Sequence, residues 1–369
     1  MSLQLNGDTG VTFNDSSLQG AAASPYVLKN RIINGDMRID QRNAGASGSA
    51  GGYTVDRWAY FQTVGSKGSW QQNAGAVTPP AGFTNYWGFT SSSAYSVGSG
   101  DLFVIRQFIE GYNVADLSFG TANAKTVTIS FWVRSSLTGT FGGSLLSGTE
   151  ARSYPFTYTI SSANTWEQKT ITIAGDTTGT WATNNTAGME LAFGLGAGSS
   201  YSGTAGAWAS ASAFTATGAT SVVGTNGATF YITGVQLEIG TSATPFERRL
   251  YNQELANCQR YLPAFSGTFN TFPAFVYTTT ACLAIIQFPV PTRTAATGIY
   301  VSSAGHFISW RANTSASAAG SVAFNASGTN SAVLDCTGYS ASSFTGAAYM
   351  TNFQANNSSA LLYFTGCEL

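Results

Sequence analysis

The segment that decides the fold is Gly234-Val-Gln-Leu-Glu-Ile-Gly-Thr-Ser-Ala-Thr-Pro-Phe-Glu-Arg-Arg-Leu-Tyr-Asn-Gln-Glu-Leu-Ala-Asn-Cys-Gln-Arg-Tyr261. It begins as a β-strand and continues into a short polar helix, in a chain that otherwise lacks helix patterns. Thr244 offers an N-cap ahead of Pro245, and Pro263 stops the helical pattern. The segment therefore predicts one connecting helix, residues 245–262, between two β domains.

The sequence before this helix, residues 30–244, predicts a series of short strands. Between Thr126 and Val133 every second residue is apolar, which indicates a strand with one buried face. Similar runs occupy residues 154–160, 167–173, 189–195 and 228–238, and Gly, Asn, Asp and Ser clusters separate them. This pattern predicts an antiparallel β-sandwich, a jelly roll.

Gly142-Gly143 and residues 194–198 lack the following helix and Gly-Lys-Ser of a phosphate loop, so we interpret them as loop glycines.

Alternation returns after the helix, in residues 263–369. Apolar and β-branched runs recur at 273–279, 282–291, 297–302, 305–311, 331–336, 349–353 and 360–366. They predict a second, C-terminal β-sandwich. The expected fold class is therefore all-β: a jelly-roll sandwich, one short helix and a second sandwich.

Composition excludes several classes of function. Charged residues make up 9 % of the 369 residues, against about 25 % in typical soluble domains. The net charge of −1 supplies no field to hold a phosphate backbone, so nucleic-acid binding is not expected. No apolar run approaches the roughly 18 residues of a membrane span, and the N-terminus carries no secretory signal, so membrane insertion is not expected either.

The four cysteines lie far apart, without a C-x-x-C pair, at positions 258, 282, 336 and 367. We interpret them as buried small hydrophobic residues of a protein made in a reducing cytoplasm, with disulfides as the alternative. Scattered cysteines and a single histidine make a zinc site improbable.

Several motifs resemble one family. Residues 234–261 resemble a junction of the form "GVQLE-G-ATPFE-R…EL-CQRY" in tail fibre and minor structural proteins of tailed bacteriophages and prophages. Asn30-Arg-Ile-Ile-Asn-Gly-Asp-Met37, Tyr53-Thr-Val-Asp-Arg-Trp58 and Ser130-Phe-Trp-Val-Arg134 resemble the same module, and more distantly carbohydrate-binding jelly rolls of secreted glycoside hydrolases. Phe288-Pro-Val-Pro-Thr-Arg293 is similar to a strand end of phage fibre tip domains.

The resemblance implies adhesion on a virus particle. It implies an attachment segment at residues 1–29 that binds other tail or baseplate proteins, a jelly-roll body, and a tip at 263–369 that binds a host surface glycan. It also implies a homotrimer in the virion. A surface of small uncharged residues allows close three-fold packing, and we expect Leu250, Leu255 and Cys258 to pack a three-helix collar.

Aromatic residues make up 13 % of the chain. Sugars stack their C–H faces on such rings while amides and hydroxyls bind their hydroxyl groups. The same rings also fill β-sandwich cores. In the expected tip, the candidate receptor contacts are Tyr277, Tyr300, Trp310 and Tyr339. His306, the only histidine, is either an interface residue or a further ligand contact.

Carboxylates could meet where the first and last strands of the jelly roll adjoin. Asp36, Asp56 and Glu238 are the candidate ligands of a structural calcium ion, because calcium takes six to eight oxygens. Pairing with nearby arginines is the alternative. No other cofactor is expected.

No catalytic constellation is visible in the sequence. The C-terminal region has two carboxylates, Asp335 and Glu368, too few for a glycosidase pair. The expected function is therefore non-catalytic binding of cell-surface polysaccharide by a phage tail fibre. A virion collar or capsid-surface protein without a receptor, and a polysaccharide depolymerase, remain alternatives.

Overall fold

A computed structural model describes residues 29–311, 315–340, 344 and 349–369, together with three short strands near the N-terminus. These strands, β1 (Gln4–Asn6), β2 (Gly10–Thr12) and β3 (Leu18–Gln19), form an antiparallel three-stranded sheet. The rest of the expected attachment segment lies outside the described residues.

Residues 30–244 form a β-sandwich of two main sheets. Its strands are β4 (Gly52–Tyr53), β5 (Ala59–Gln62), β6 (Gly68–Gln72), β7 (Trp87–Ser91), β8 (Leu102–Glu110), β9 (Val127–Ser135), β10 (Gly139–Ser147), β11 (Ser153–Ile160), β12 (Glu167–Ile173), β13 (Ala187–Ala197), β14 (Ser202–Gly203), β15 (Thr215–Ala216) and β16 (Thr229–Ile239). The six-stranded sheet has the order β11-β10-β13-β8-β5-β4 and the five-stranded sheet β12-β9-β16-β7-β6. Strands β14 and β15 form a small parallel pair.

The core of this sandwich lies between the two sheets. In β9, the four alternating residues Val127, Ile129, Phe131 and Val133 are fully buried, as the period of two predicts. They pack with aromatic residues of the facing sheet; Phe131 lies 4.9 Å from Phe193, measured between ring centroids. The predicted all-β fold with a jelly-roll-like sandwich is confirmed.

Four of the five glycines that we interpreted as loop residues lie in strands. Gly142 and Gly143 belong to β10, and Gly194 belongs to β13. A Cβ atom at Gly142 would lie 2.2 Å from Thr215 Oγ1, since the segment that carries β15 packs on the outer side of this sheet. The glycines therefore allow close approach of a covering segment, a contact between distant parts of the chain that local spacing does not reveal.

The connecting helix is shorter than predicted. Helix α1 spans Tyr251–Gln259, whereas residues 245–250 are not helical. Thr244 does not cap it: its hydroxyl donates a 2.7 Å hydrogen bond to Glu238 Oε2. The backbone N–H of Glu247 donates to Gln236 Oε1 at 2.8 Å. Hydrogen bonds to β16 thus hold residues 244–247 outside the helix, which begins at Tyr251.

The C-terminal region is a second sandwich. Its strands are β17 (Ala264–Ser266), β18 (Thr271–Thr278), β19 (Ala281–Gln287), β20 (Gly298–Val301), β21 (Phe307–Arg311), β22 (Ser315–Ala318), β23 (Ser321–Ser327), β24 (Ser331–Thr337), β25 (Tyr349–Ala355) and β26 (Leu361–Thr365). A seven-stranded sheet, β22-β21-β25-β18-β19-β24-β23, packs on a three-stranded sheet, β17-β26-β20. This confirms the predicted second β-sandwich.

The two sandwiches are bonded to each other. Arg42 of the first pairs with Glu368 at 2.6 Å, and its guanidinium lies 4.8 Å from the ring centre of Tyr363. Arg293 of the second donates a 2.9 Å hydrogen bond to the carbonyl of Asn185 in the first. Polar and aromatic contacts therefore join the two domains.

All four cysteines are buried and unpaired, which confirms their interpretation as small core residues. No helix in the described part of the chain has the length and apolar character needed to cross a bilayer.

Candidate functional site

A cavity of about 330 Å³ opens at one end of the jelly roll. Its apolar lining includes Val114, Phe119, Trp181 and Met189. Met189 is fully buried, whereas Trp181 is half-buried and reaches the opening. The size falls in the range of small-molecule sites, about 300–1,000 Å³.

Two loops form the walls of this cavity. The first follows β8 through two 3-10 turns, Gly111–Asn113 and Ala115–Leu117, and the second, residues 174–186, precedes β13. Backbone hydrogen bonds join them: the Gly120 N–H donates to the carbonyl of Asp176 at 2.7 Å, and the Gly111 N–H to that of Thr186 at 2.8 Å. The walls are therefore held by backbone bonds, which favours a pre-formed site.

An ion pair fixes the second loop. Asp176 is 3 % exposed and receives two hydrogen bonds from Arg152, at 2.7 and 2.9 Å. Burial raises the pKa of Asp176, but the bonds from Arg152 and Thr178 outweigh it, and the pKa lies below its ordinary value. The carboxylate is therefore ionised at neutral pH and anchors the loop that carries Trp181.

The aromatic wall depends on close packing. Trp181 meets Phe119 edge to face at 4.8 Å between ring centroids and Trp208 at 5.4 Å. A Cβ atom at Gly120, whose φ is +80°, would lie 2.7 Å from the Gly179 carbonyl oxygen and 3.1 Å from Trp181 Cδ1. Glycine at position 120 thus lets the two loops approach and orients the indole.

The rim of the cavity carries free polar groups. In the described part of the chain, the Ser118 hydroxyl, the Asn123 amide and the Thr183 hydroxyl have no hydrogen-bond partner, although all three residues line the cavity. The Trp181 indole N–H already donates to the Thr178 carbonyl at 3.1 Å. The site therefore offers an aromatic surface for C–H groups and an amide and hydroxyls for a ligand's hydroxyls, the combination that suits a sugar.

The receptor candidates of the tip do not form one site. Tyr277 and Trp310 lie on the outward side of the seven-stranded sheet, 38 % and 44 % exposed. Tyr300 lies on the smaller sheet, where it stacks on Tyr363 at 4.7 Å. His306 ends a 3-10 turn, and its Nδ1 is 3.0 Å from the Ser302 hydroxyl. Tyr339 is a correction: it is 3 % exposed and packs on Phe344 in the core, so it presents no ring to a receptor.

The calcium candidates are not assembled. Asp36 pairs with Arg38 at 3.1 Å; Asp56 accepts hydrogen bonds from the backbone and side chain of Gln41. Glu238 accepts bonds from Gln236 and Thr244. Within the described residues, no three His, Cys, Asp or Glu side chains group closely enough to hold a metal ion. Each carboxylate instead has its own partner, as buried carboxylates require.

The expected three-helix collar also needs correction. Cys258 is fully buried in a cluster with Ile33, Ile39 and Tyr261 of the same chain, and Leu255 packs against that cluster. Only Leu250 of the three is exposed, at 79 %. The apolar side of α1 thus covers its own jelly roll, because the first residues of the domain return beneath the helix.

One carboxyl pair was missed in the sequence. Glu150 and Glu190 each place Oε1 3.2 Å from Nη1 of Arg106. The Arg106 guanidinium lies over the rings of Phe61 and Phe108, at 4.8 and 5.0 Å. Burial, opposed in part by Arg106 and reinforced by Glu150, raises the pKa of Glu190 to about 8. The pair is close enough for acid–base chemistry, but the Glu190 side chain is fully buried.

No protein-family model and no curated protein sequence matches this chain. Solved structures show weak likenesses. The enzymatically active domain of tailspike protein 4 of bacteriophage CBA120 aligns with 57 % of this chain, at 12 % identity and a TM-score of 0.32. The chain covers only 21 % of that structure.

Two carbohydrate-binding modules align over nearly their whole length. A family 4 module matches 57 % of this chain and 99 % of its own, at 16 % identity and a TM-score of 0.29. A family 11 module from a cellulosomal cellulase of Clostridium thermocellum matches 54 % of this chain and 98 % of its own, at 12 % identity and a TM-score of 0.27. At such TM-scores these likenesses give no information about what this chain binds.

Proposed function

We propose that this chain is a host-recognition protein of a tailed bacteriophage, a tail fibre component that binds cell-surface polysaccharide without cutting it. The single observation that carries the binding part is the cavity with its Trp181 wall and the unpartnered groups of Ser118, Asn123 and Thr183. The virion part rests on the resemblance of residues 30–37 and 234–261 to phage fibre modules.

In this proposal the domains divide the work. Residues 1–29 attach the chain to other tail or baseplate proteins, and the bonded pair of sandwiches forms a rigid arm. Charged residues make up only 9 % of the chain. This composition suits binding of a neutral glycan through hydrogen bonds and ring contacts rather than through charge attraction. No cofactor takes part.

The test is a binding and cleavage assay on one sample. The full chain is incubated with an array of purified bacterial surface polysaccharides, and each bound polysaccharide is then sized by gel filtration. We expect retention of at least one polysaccharide with its length unchanged. Absence of binding to every polysaccharide, with tight binding to purified tail proteins, would instead favour a structural collar or capsid-surface protein.

A polysaccharide depolymerase is the second candidate function, because the structure brings Glu150 and Glu190 to one arginine nitrogen. Full burial of Glu190 argues against it, since a general acid must reach the glycosidic oxygen. Shortening of the polysaccharide by the wild-type chain and its loss in Glu150→Gln would support the depolymerase and overturn the non-catalytic proposal.

A further inference from the structure

The outward side of the seven-stranded sheet carries a group of large exposed apolar side chains. In β18 the residues alternate strictly: Phe272, Ala274 and Val276 are buried in the sandwich core, and the residues between them face outward. On most antiparallel sheets such an outward side is polar. Here five large apolar side chains of this side are exposed to 37–64 %, namely Phe275, Tyr277, Ile285, Trp310 and Met350.

Strand register makes part of this side one continuous row, which we name the outer row. Met350 of β25 lies directly opposite Phe275 of β18, and Phe275 opposite Leu283 of β19. Leu283 in turn lies opposite Asp335 of β24, and Asp335 opposite Ala323 of β23. Directly opposed side chains on one side of a sheet are within contact distance. The outer row therefore crosses five strands with a single ionisable group.

Two polar groups beside the outer row are already bonded within the chain. The Tyr277 hydroxyl donates to Asp335 Oδ1 at 2.6 Å, and the Trp310 indole N–H donates to Gln354 Oε1 at 2.8 Å. Exposed apolar surface of this kind typically marks a protein contact.

We propose that the outer row is a self-association surface, covered by a second copy of this chain. The near absence of charge in the outer row favours a partner surface that is also nearly uncharged. A charged partner would bury its ions against uncharged side chains, at a cost in desolvation. A second copy presents the same row, in which the one ionisable group, Asp335, already accepts a hydrogen bond from Tyr277.

This surface replaces the helical collar as the site of assembly. Leu255 and Cys258 are occupied by their own chain, whereas Phe275 and Met350 are free on an unpaired sheet side. Association through the outer row leaves the cavity at Trp181 in the other domain unobstructed. Assembled chains then present several cavities together, which raises avidity for a repetitive polysaccharide.

The test is the native mass of the full chain, by light scattering over a dilution series, for wild type and single variants. Met350→Lys and Phe275→Ser alter the outer row at exposed positions. Leu250→Lys and Phe269→Lys are matched controls, since these residues are 79 % and 77 % exposed but lie outside the row. Far-ultraviolet circular dichroism checks that each variant is folded.

We expect the native mass of wild type to be at least twice the 38.5 kDa of one chain. Met350→Lys and Phe275→Ser should raise the dissociation constant at least about tenfold, and the two controls should leave it unchanged. A monomeric wild type, or dissociation by Leu250→Lys but not by Met350→Lys, would overturn the proposal. Neither result bears on the cavity, because the polysaccharide assay tests that separately.

Discussion

Arg260 and Glu110 form a two-point ion pair where the connecting helix meets the jelly roll. Arg260 Nε and Nη2 lie 2.9 and 2.6 Å from the two oxygens of Glu110, which is 1 % exposed. The Tyr261 hydroxyl donates a third bond to the same carboxylate at 2.7 Å. Glu110 ends β8, so this carboxylate couples the central strand of the first sandwich to the entry of the second.

Loss of this carboxylate should weaken the coupling between the domains. In Glu110→Gln we expect a loss of about 2 kcal/mol in the free energy of unfolding, because Arg260 and Tyr261 lose a charged acceptor. Calorimetry should show one unfolding transition for wild type and a broader one at lower temperature for the variant, because Arg42–Glu368 and Arg293–Asn185 still join the domains. Glu167→Gln is the control, since Glu167 pairs with Lys169 inside one sheet. Two transitions in wild type would contradict the coupling.

The Glu110 carboxylate also makes the stability of the folded chain depend on pH. Burial raises the pKa of Glu110, but hydrogen bonds from Arg260 and Tyr261 outweigh it, and the pKa lies below its ordinary value. The contribution of Glu110 is therefore present above the unfolded pKa, about 4.3, and is lost as the pH falls through the folded pKa. Melting temperature should drop in acid for wild type and less steeply for Glu110→Gln.

Glu190 should make the folded chain less stable as the pH rises, the opposite of the effect of Glu110. Because its pKa is raised to about 8, the folded chain holds a proton that the unfolded chain releases above about pH 4.3. Its presence therefore lowers stability as the pH rises from about 4.3 towards 8. Glu190→Gln should match wild type near pH 4 and exceed it by on the order of 5 kcal/mol at pH 9, because the two pKa values differ by about 3.7 units. Equal stability at both pH values would exclude a buried neutral acid.

Asp176 should control the cavity indirectly, as a positioning residue. Asp176→Asn removes the charge that holds Arg152, so the loop carrying Trp181 loosens. We expect about tenfold weaker polysaccharide binding, equivalent to about 1.4 kcal/mol, and faster amide hydrogen exchange in residues 174–186. Unchanged exchange and affinity would show that the loop does not depend on this ion pair.

The sequence predicted the fold well where one strand side is buried. Residues 167–173 were predicted as a strand and form β12 with the same bounds, since alternation is a local signal. Strands β8 and β10 were missed. Strand β8 is buried on both sides for most of its length, and β10 contains Gly142 and Gly143 beneath a covering segment, so neither alternates.

The site was less accessible to sequence reasoning. A high tryptophan content indicated saccharide chemistry, but Phe119, Trp181 and Trp208 are far apart in the sequence and meet only through the loops of the sandwich. The resemblance of the C-terminal region to phage fibre tips instead drew attention to its aromatic residues, among them Tyr277 and Trp310. Their hydroxyl and indole N–H are bonded within the chain, a fact that only the register of the sheet reveals.

The most direct test of the account compares two tryptophans. Trp181→Ala removes the wall of the cavity. Trp166→Ala removes a half-buried indole that also donates to a carbonyl, that of Thr78 at 2.9 Å, but lies away from the cavity. Affinity for a retained polysaccharide is measured by titration calorimetry on folded variants. The account predicts at least about tenfold weaker binding for Trp181→Ala and wild-type affinity for Trp166→Ala; equal affinity in both variants would contradict it.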